Sequence, residues 1–210
     1  YKRQDGADIV CHVRNTGRCA ELFRPGCRVW VQHNPSPTRK TAWTLITVDK
    51  DGVLVNVDSL APNKLFAEAV TKGILVPASL SRVEQMRPEV KLGSSRLDWQ
   101  LTGPEGRLWC EVKGVTLEQD GTALFPDAPT LRGLGHVETL RRLRSEGDFA
   151  MAAFLVQMEG IRRFRPNTAA QPDFARALRE AREAGVEIVC CGCRVTPDSV
   201  EPAYLIPVEL

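Results

Sequence analysis

One apolar segment constrains the fold of this chain more than any other feature. Phe149–Met158 is almost wholly apolar, which is typical of a strand buried on both faces of a sheet. The segments Leu131–Ser145 and Pro172–Glu183, before and after it, carry apolar residues at helical spacing. From residue 62 onward the predicted order of elements is α-β-β-β-α-β-α-β. This order favours a mixed sheet with helices on its faces.

The first 61 residues have a different pattern, one of short strands. Apolar and polar residues alternate in Cys27–Gln32, and the β-branched runs Ala42–Val48 and Val53–Val57 flank a hairpin signal at Asp49–Gly52. About four or five short strands in this length suggest a small barrel, of which the OB type is a frequent nucleic-acid binder. We therefore predict an OB-like β-barrel over residues 1–61 and an α/β domain over residues 62–210.

The charge of the chain is nearly balanced but unevenly placed. The 210 residues include 28 Lys or Arg and 26 Asp or Glu, a formal net charge of +2. This balance excludes a histone-like polycation and argues against disorder. Residues 1–48, however, hold eight Lys or Arg against three Asp or Glu. The asymmetry indicates an anionic partner for the N-terminal part.

The apolar runs and the cysteines bear on where the protein resides. No apolar run reaches the roughly 18–20 residues of a membrane span, so we expect a soluble protein with no membrane partner. The seven cysteines show no repeated CxxC spacing, which favours reduced thiols and a cytoplasmic location. Cys190, Cys191 and Cys193 follow a strand-like run with no histidine nearby. We interpret them as a strand end, with soft-metal binding as the alternative.

The residues that carry chemistry are predicted to lie on one hairpin. Glu111 and Lys113 are two residues apart on a predicted strand, so their side chains point to the same face. If the turn closes through Gly103–Gly106, Asp98 lies opposite Glu111 and Arg96 lies opposite Lys113, with opposed Cβ atoms about 4.5–5.5 Å apart. Two carboxylates at that separation repel each other unless a hard cation such as Mg²⁺ or Mn²⁺ binds between them. A turn of odd length would instead put Glu111 on the other face.

A cation site of this kind suits phosphodiester cleavage. The metal would neutralise a phosphate and lower the pKa of a bound water, and Lys113 would orient that water or offset charge in the transition state. The alternative is an ordinary pattern of acids and bases on a solvent-exposed strand. Val112 and Val115 favour the site, because they indicate a sheet with a buried reverse face.

Four strings stand out in the chain: Arg14–Arg18, Ser95–Trp99, Glu111–Leu117 and Phe125–His136. Together they resemble the sugar fermentation stimulation protein family, SfsA, of bacteria and archaea, over essentially the whole chain. The resemblance implies an OB-like barrel followed by a domain similar to the PD-(D/E)xK nucleases. By that pattern Asp98 and Glu111 match the two metal carboxylates, and Lys113 matches the lysine. Glu68 matches an extra acid that many such enzymes carry on the first helix.

The resemblance also implies a function, that of a DNA-binding protein largely without sequence preference, with RNA as the alternative nucleic acid. Three interpretations stay open. The first is a nuclease that uses Mg²⁺ or Mn²⁺ at Asp98, Glu111 and Lys113. The second is a non-catalytic DNA-binding regulator of sugar metabolism of the maltose type. The third is a hydrolase of small phosphoesters or nucleotides.

Seven basic residues are candidate contacts to the nucleic acid. Arg39 and Lys40 lie in a proline-rich loop of the predicted barrel, while Arg132 and His136 are four residues apart on one helical face. The alternative is that these basic groups are merely solvated and that His136 is satisfied within the core. The full set of candidates is Arg18, Arg28, Arg39, Lys40, Arg96, Arg132 and His136.

Overall fold

The computed structural model describes residues 1–15, 17–93 and 95–210. Thr16, which belongs to the string Arg14–Arg18, and Ser94 lie outside the described residues. The helices and strands are, in chain order, β1 (Cys11–Val13), β2 (Val29–His33), β3 (Trp43–Lys50), β4 (Val53–Asn56), α1 (Ala61–Thr71), β5 (Gln85–Leu92), β6 (Ser95–Gly103), β7 (Gly106–Val115), β8 (Leu117–Gln119), β9 (Thr122–Phe125), α2 (Leu131–Ser145), β10 (Phe149–Val156), β11 (Arg163–Pro166), α3 (Pro172–Glu183), β12 (Glu187–Val195) and β13 (Val200–Leu205).

The N-terminal residues form a four-stranded sheet around β3. One edge of β3 pairs with β2 in the antiparallel sense. The other edge pairs with β1 in parallel along residues 43–45 and with β4 along residues 47–50. The β3–β4 turn passes through Asp51 and Gly52, which both have positive φ, 53° and 92°, a conformation that glycine and, less readily, aspartate adopt. The predicted hairpin at Asp49–Gly52 is confirmed.

The central sheet has six strands in the order β13-β12-β10-β7-β6-β5. β10 lies between β7 and β12 and runs parallel to both. Phe154 of β10 packs in one core with Leu140 of α2 and Leu178 of α3, whereas Leu155 packs in a second core with Phe66 of α1. Both faces of β10 are therefore buried, as its apolar sequence predicts.

Helices α2 and α3 begin and end at the residues that the sequence predicts. Thr130 caps α2, because its Oγ1 accepts a hydrogen bond from the Gly133 N–H at 2.9 Å. Pro172 occupies the first turn of α3, where its missing N–H costs nothing. Within the described ranges, no helix combines the length and apolar character that a membrane crossing requires.

A third sheet, in the order β11-β9-β8, is not among the predicted elements. Its strands have three or four residues each. Phe164 of β11 stacks on Phe154 of the central sheet with ring centroids 4.3 Å apart. This packing attaches the third sheet to the core that contains α2 and α3.

One ion pair joins the N-terminal sheet to the third sheet. Lys50 Nζ of β3 lies 2.8 Å from Glu118 Oε2 of β8, and Glu118 Oε1 accepts the Gly121 N–H at 2.7 Å. The hydrogen bond from Lys50 is the main cause that lowers the pKa of Glu118, followed by the hydrogen bond from Gly121. The pair therefore makes the attachment between the two sheets sensitive to acid.

The variant Glu118→Gln tests that sensitivity. The pKa of Glu118 is lower in the folded state than its unfolded value of about 4.3. Its carboxylate thus stabilises the fold above that pH, and the contribution is lost as the pH falls through the folded pKa. We expect Glu118→Gln to lower the free energy of unfolding at pH 7 by up to about 1 kcal/mol, with a difference from wild type that shrinks below about pH 4.

Urea denaturation at pH 7 and at acid pH measures the difference. Glu84→Gln is the control, because Glu84 forms an exposed ion pair with Arg82 two residues away and joins no two sheets. A difference between Glu118→Gln and wild type that stays constant with pH would contradict the assignment.

Candidate metal and phosphodiester site

The β6–β7 hairpin has the register that the sequence predicts. Gly103 pairs with Gly106 across a two-residue turn, and the ladder continues with no shift until Trp99 faces Cys110. The predicted alternative, a turn of odd length, is wrong. Pro104 is accommodated because it occupies the first position of the turn, where its fixed φ is suitable.

Beyond the last backbone pair, the side chain of Asp98 connects the two strands. Asp98 Oδ2 accepts the Val112 backbone N–H at 2.8 Å. Asp98 Oδ1 accepts Asn63 Nδ2 of helix α1 at 3.2 Å, and Asn63 Oδ1 in turn accepts the Trp99 indole N–H at 2.9 Å. The indole donor fixes which way the Asn63 amide points. Asp98 is therefore held from both the sheet and the start of α1.

The charge of Glu111 acts on Asp98. Burial is the main cause that raises the pKa of Asp98, and the negative charge of Glu111 is the second cause. The hydrogen bonds from Val112 and Asn63 and the charge of Lys113 oppose the increase. The two carboxylates are thus close enough to disfavour each other's ionised form, as the hairpin arithmetic predicts.

Glu111 is a buried carboxylate with two basic neighbours. Its exposed fraction is 4%. Its Oε1 atom lies 2.5 Å from Lys113 Nζ and forms a hydrogen bond with His136 Nδ1, and these last two atoms are 3.3 Å apart. Burial favours the neutral acid, but His136 and then Lys113 outweigh it, and the pKa of Glu111 is lowered.

The second oxygen of Glu111 supports a cation site. Glu111 Oε2 is buried and has no hydrogen-bond partner among the described residues, although an unsatisfied buried carboxylate oxygen is costly. A hard divalent cation prefers carboxylate oxygens and would satisfy this atom and relieve the repulsion from Asp98. The residues present therefore fit a metal held by Asp98 and Glu111.

These groups open into a cleft of about 480 Å³ that both parts of the chain line. Asn15 and Gly17 contribute from the N-terminal part. Asp127 closes the contact from the opposite side, because its Oδ2 accepts the Arg18 backbone N–H at 2.8 Å. The remaining walls come from the start of α1, from the β6–β7 hairpin and from the segment that leads into α2.

Gln157 connects the site to the N-terminal sheet. The side chain is 2% exposed, and its Nε2 donates to Asn56 Oδ1 at 2.7 Å and to the Asp58 carbonyl at 3.2 Å. A Cβ atom at Gly114 would lie 2.5 Å from Gln157 Oε1 and 2.7 Å from Pro62 Cγ. Gly114 therefore lets Gln157 and α1 approach the strand that carries Glu111 and Lys113.

Two family models match consecutive parts of the chain. The SfsA N-terminal OB domain matches residues 2–57, and the sugar fermentation stimulation protein RE domain matches residues 60–199. The chain belongs to the SfsA family. The predicted resemblance is confirmed, and so is the fold class, an OB-like domain followed by a mixed α/β domain.

Curated relatives agree with this assignment over almost the full chain. The sugar fermentation stimulation protein homolog of Desulfitobacterium hafniense strain Y51 is 41% identical over 206 residues, which cover 98% of this chain and 88% of the relative. The homolog of Clostridium beijerinckii is 42% identical over 200 residues, which cover 95% of this chain and 87% of the relative.

A solved structure is similar to this SfsA protein in fold. It is described as Pyrococcus furiosus SfsA in complex with Ca²⁺. The two structures superpose with a TM-score of 0.85 at 28% identity, covering 96% of this chain and 86% of the archaeal one. The archaeal relative therefore binds a hard divalent cation.

The structure brings five of the predicted site residues to the cleft. Asp98, Glu111, Lys113 and Arg132 line it, and His136 contacts Glu111. His136 was expected to contact nucleic acid, but its Nδ1 atom is used on Glu111. Its placement therefore supports a role in holding the carboxylate.

Other predicted residues lie away from the cleft lining. Glu68 does not reach Asp98 and Glu111, because its carboxylate pairs with Lys72 Nζ at 2.6 Å one turn further along α1. Arg96 is exposed and pairs with Glu89 at 3.3 Å. Arg28, Arg39 and Lys40 belong to the N-terminal part, and Arg18 touches the cleft wall through Asp127.

Sequence reasoning missed three polar residues of this SfsA site: Asn63, Asp127 and Gln157. Asn63 and Asp127 resemble helix caps in the sequence, which conceals their contacts with Asp98 and Arg18. Gln157 had a usable signal, because it is a lone amide in the apolar run 149–158. A polar residue in such a run must find a buried partner.

The variant Gly114→Ala tests how tightly Gln157 and α1 pack on β7. The added methyl group would overlap Gln157 Oε1 and Pro62 Cγ, so we expect the free energy of unfolding to fall by about 1–3 kcal/mol. In a Gln157→Ala background the same change should cost at least about 0.5 kcal/mol less, because one of the two obstacles is gone. Urea denaturation of the four proteins measures this coupling, and strictly additive effects would contradict the packing.

Proposed function

We propose that this SfsA protein binds DNA largely without sequence preference and cleaves phosphodiester bonds in the cleft with Mg²⁺ or Mn²⁺. The observation that supports this most directly is the buried, unpartnered Glu111 Oε2 beside Asp98 in an open cleft. Asp98 and Glu111 would hold the metal. When bound, such a metal supplies charge neutralisation at the phosphate and a water of lowered pKa.

The residues around the carboxylates have separate tasks in this proposal. Asn63 and Val112 orient Asp98, and His136 holds Glu111 Oε1. Lys113 Nζ adjoins the same oxygen and brings a positive charge to the place where an entering phosphate adds negative charge. That charge stabilises the transition state most strongly because the site is partly closed to water.

The basic residues outside the cleft support DNA binding without base recognition. Arg28, Arg39 and Lys40 lie in the part of the chain that matches an OB domain, a fold that binds single strands through basic grooves and exposed aromatic rings. Arg3 lies over the Trp43 ring, 5.4 Å from its centroid. Charged and aromatic groups therefore occur side by side on this sheet, which suits phosphate contact and stacking.

One observation favours a second candidate, a non-catalytic DNA-binding regulator of sugar metabolism. Lys113 and His136 already occupy one oxygen of Glu111. Within the described residues, moreover, no group of three or more His, Cys, Asp or Glu side chains is placed to hold a metal. In that case the same cleft would bind DNA without cutting it.

A cleavage assay separates the two candidates. We expect plasmid DNA to be nicked in Mg²⁺ or Mn²⁺ but not in EDTA, and Asp98→Asn, Glu111→Gln and Lys113→Met each to lose about 100-fold in rate or more. Glu68→Gln is the matched control, because it removes a carboxylate that the cleft does not use. Cleavage that persists in Asp98→Asn would refute the metal site, and DNA binding without cleavage by wild type would favour the regulator.

DNA affinity as a function of salt tests the binding surface. Each phosphate that the protein neutralises releases counterions, so every such phosphate adds about 0.9 to the magnitude of the slope of log K against log salt on duplex DNA. We expect the double variant Arg39→Ala, Lys40→Ala to lower the magnitude of the slope by about one to two such steps. Arg176→Ala, a charge that pairs with Asp173 on α3, should leave it unchanged. Equal slopes for all three proteins would exclude this loop from the interface.

A further inference from the structure

Helix α2 contains two glycines, and the fold accounts for only one of them. A Cβ atom at Gly133 would lie 2.7 Å from Thr130 Cγ2 and 3.0 Å from Thr130 Oγ1. Thr130 Oγ1 also accepts the Gly133 N–H. A side chain at position 133 would therefore disturb the cap of the helix.

Gly135 has no such reason to be glycine. A Cβ atom there would meet no heavy atom within 4 Å, and the residue has no positive φ. Every other described glycine with that much free space has a positive φ, which only glycine adopts easily. A glycine inside a helix destabilises it relative to alanine, so Gly135 weakens the helix without any return within the folded chain.

The residues next to Gly135 indicate what occupies the free space. Arg132, three positions earlier, is exposed and lines the cleft. Arg141 and Arg142 further along α2 are paired with carboxylates, but Arg132 has no carboxylate partner in the described part of the chain. Leu131, four positions before Gly135, is 85% exposed. Residues three and four apart are neighbours on a helix surface. We name this surface, formed by Leu131, Arg132 and Gly135, the α2 rim.

We infer that the α2 rim is the surface on which one DNA strand lies as it leaves the cleft. Gly135 gives the sugar-phosphate backbone room to reach van der Waals contact with the helix. Arg132 binds a phosphate of that strand, and Leu131 packs on a sugar or on the face of an unstacked base. The inference rests on the proposed DNA binding and adds to it the path of the strand outside the metal site.

The variant Gly135→Ala separates this role from a structural one, because the two effects have opposite signs. The methyl group fits the folded chain, so we expect the melting temperature to rise by about 1–4 °C. The same group would push the strand away from the helix, so the affinity for DNA should fall. Gly135→Leu should weaken binding further, by about tenfold or more.

Fluorescence anisotropy of a labelled duplex and of its labelled single strand, in EDTA to prevent cleavage, measures the affinity. Ser145→Ala is the control, since it is an exposed, uncharged position ten residues along the same helix, about 15 Å away. Leu131→Ala should weaken binding, whereas Leu205→Ala should not, because that exposed leucine lies on the edge strand β13.

The outcomes are distinct. A higher melting temperature with reduced affinity for Gly135→Ala, and unchanged affinity for both controls, supports the α2 rim. Unchanged affinity for Gly135→Ala and Gly135→Leu while wild type binds DNA overturns the rim and leaves the proposed function intact. A lower melting temperature for Gly135→Ala overturns the premise that the fold has no use for the glycine. Wild type that binds neither probe overturns the proposed function and the rim together.

Discussion

The organisation of this protein depends on one buried carboxylate. Glu111 is almost fully enclosed, yet it is ionised beside Asp98, a second acid that the same burial affects. Removing a carboxylate from water is costly unless charged partners and hydrogen bonds compensate. Lys113 and His136 supply that compensation on one oxygen only. The chain thus holds a strong demand for positive charge at the bottom of an open cleft.

Several elements are needed to maintain that arrangement. The parallel pairing of β7 with β10 fixes the strand that carries Glu111 and Lys113. Helix α1 reaches Asp98 through Asn63, and α2 reaches Glu111 through His136. Gln157 then ties the end of β10 to the N-terminal sheet. Because the cleft is lined from both parts of the chain, a ligand held at the carboxylates would contact both as well.

The sequence predicts those parts of the fold that local patterns decide. The bounds of α2 and α3 follow from capping and apolar periodicity, and the hairpin register follows from the turn at Gly103–Gly106. Local patterns do not decide which side of a helix faces the cleft. In α1 the burial of Phe66 and Ala69 sets the rotation. As a result Asn63, rather than Glu68, meets Asp98. The third sheet escapes prediction for the related reason that its short strands depend on contacts distant in sequence, such as Phe164 on Phe154.

The helix ends complete the electrostatic argument. Both α1 and α2 begin at the cleft, since Asn63 and Thr130 line it, and a helix N-terminus carries partial positive charge. These dipoles, Lys113 and Arg132 all act against the negative charge of Asp98 and Glu111. The field in the cleft therefore favours a cation at the two carboxylates and an anion a short distance away, at the helix starts. A phosphodiester bound together with a divalent metal is the chemical class that satisfies both demands at once.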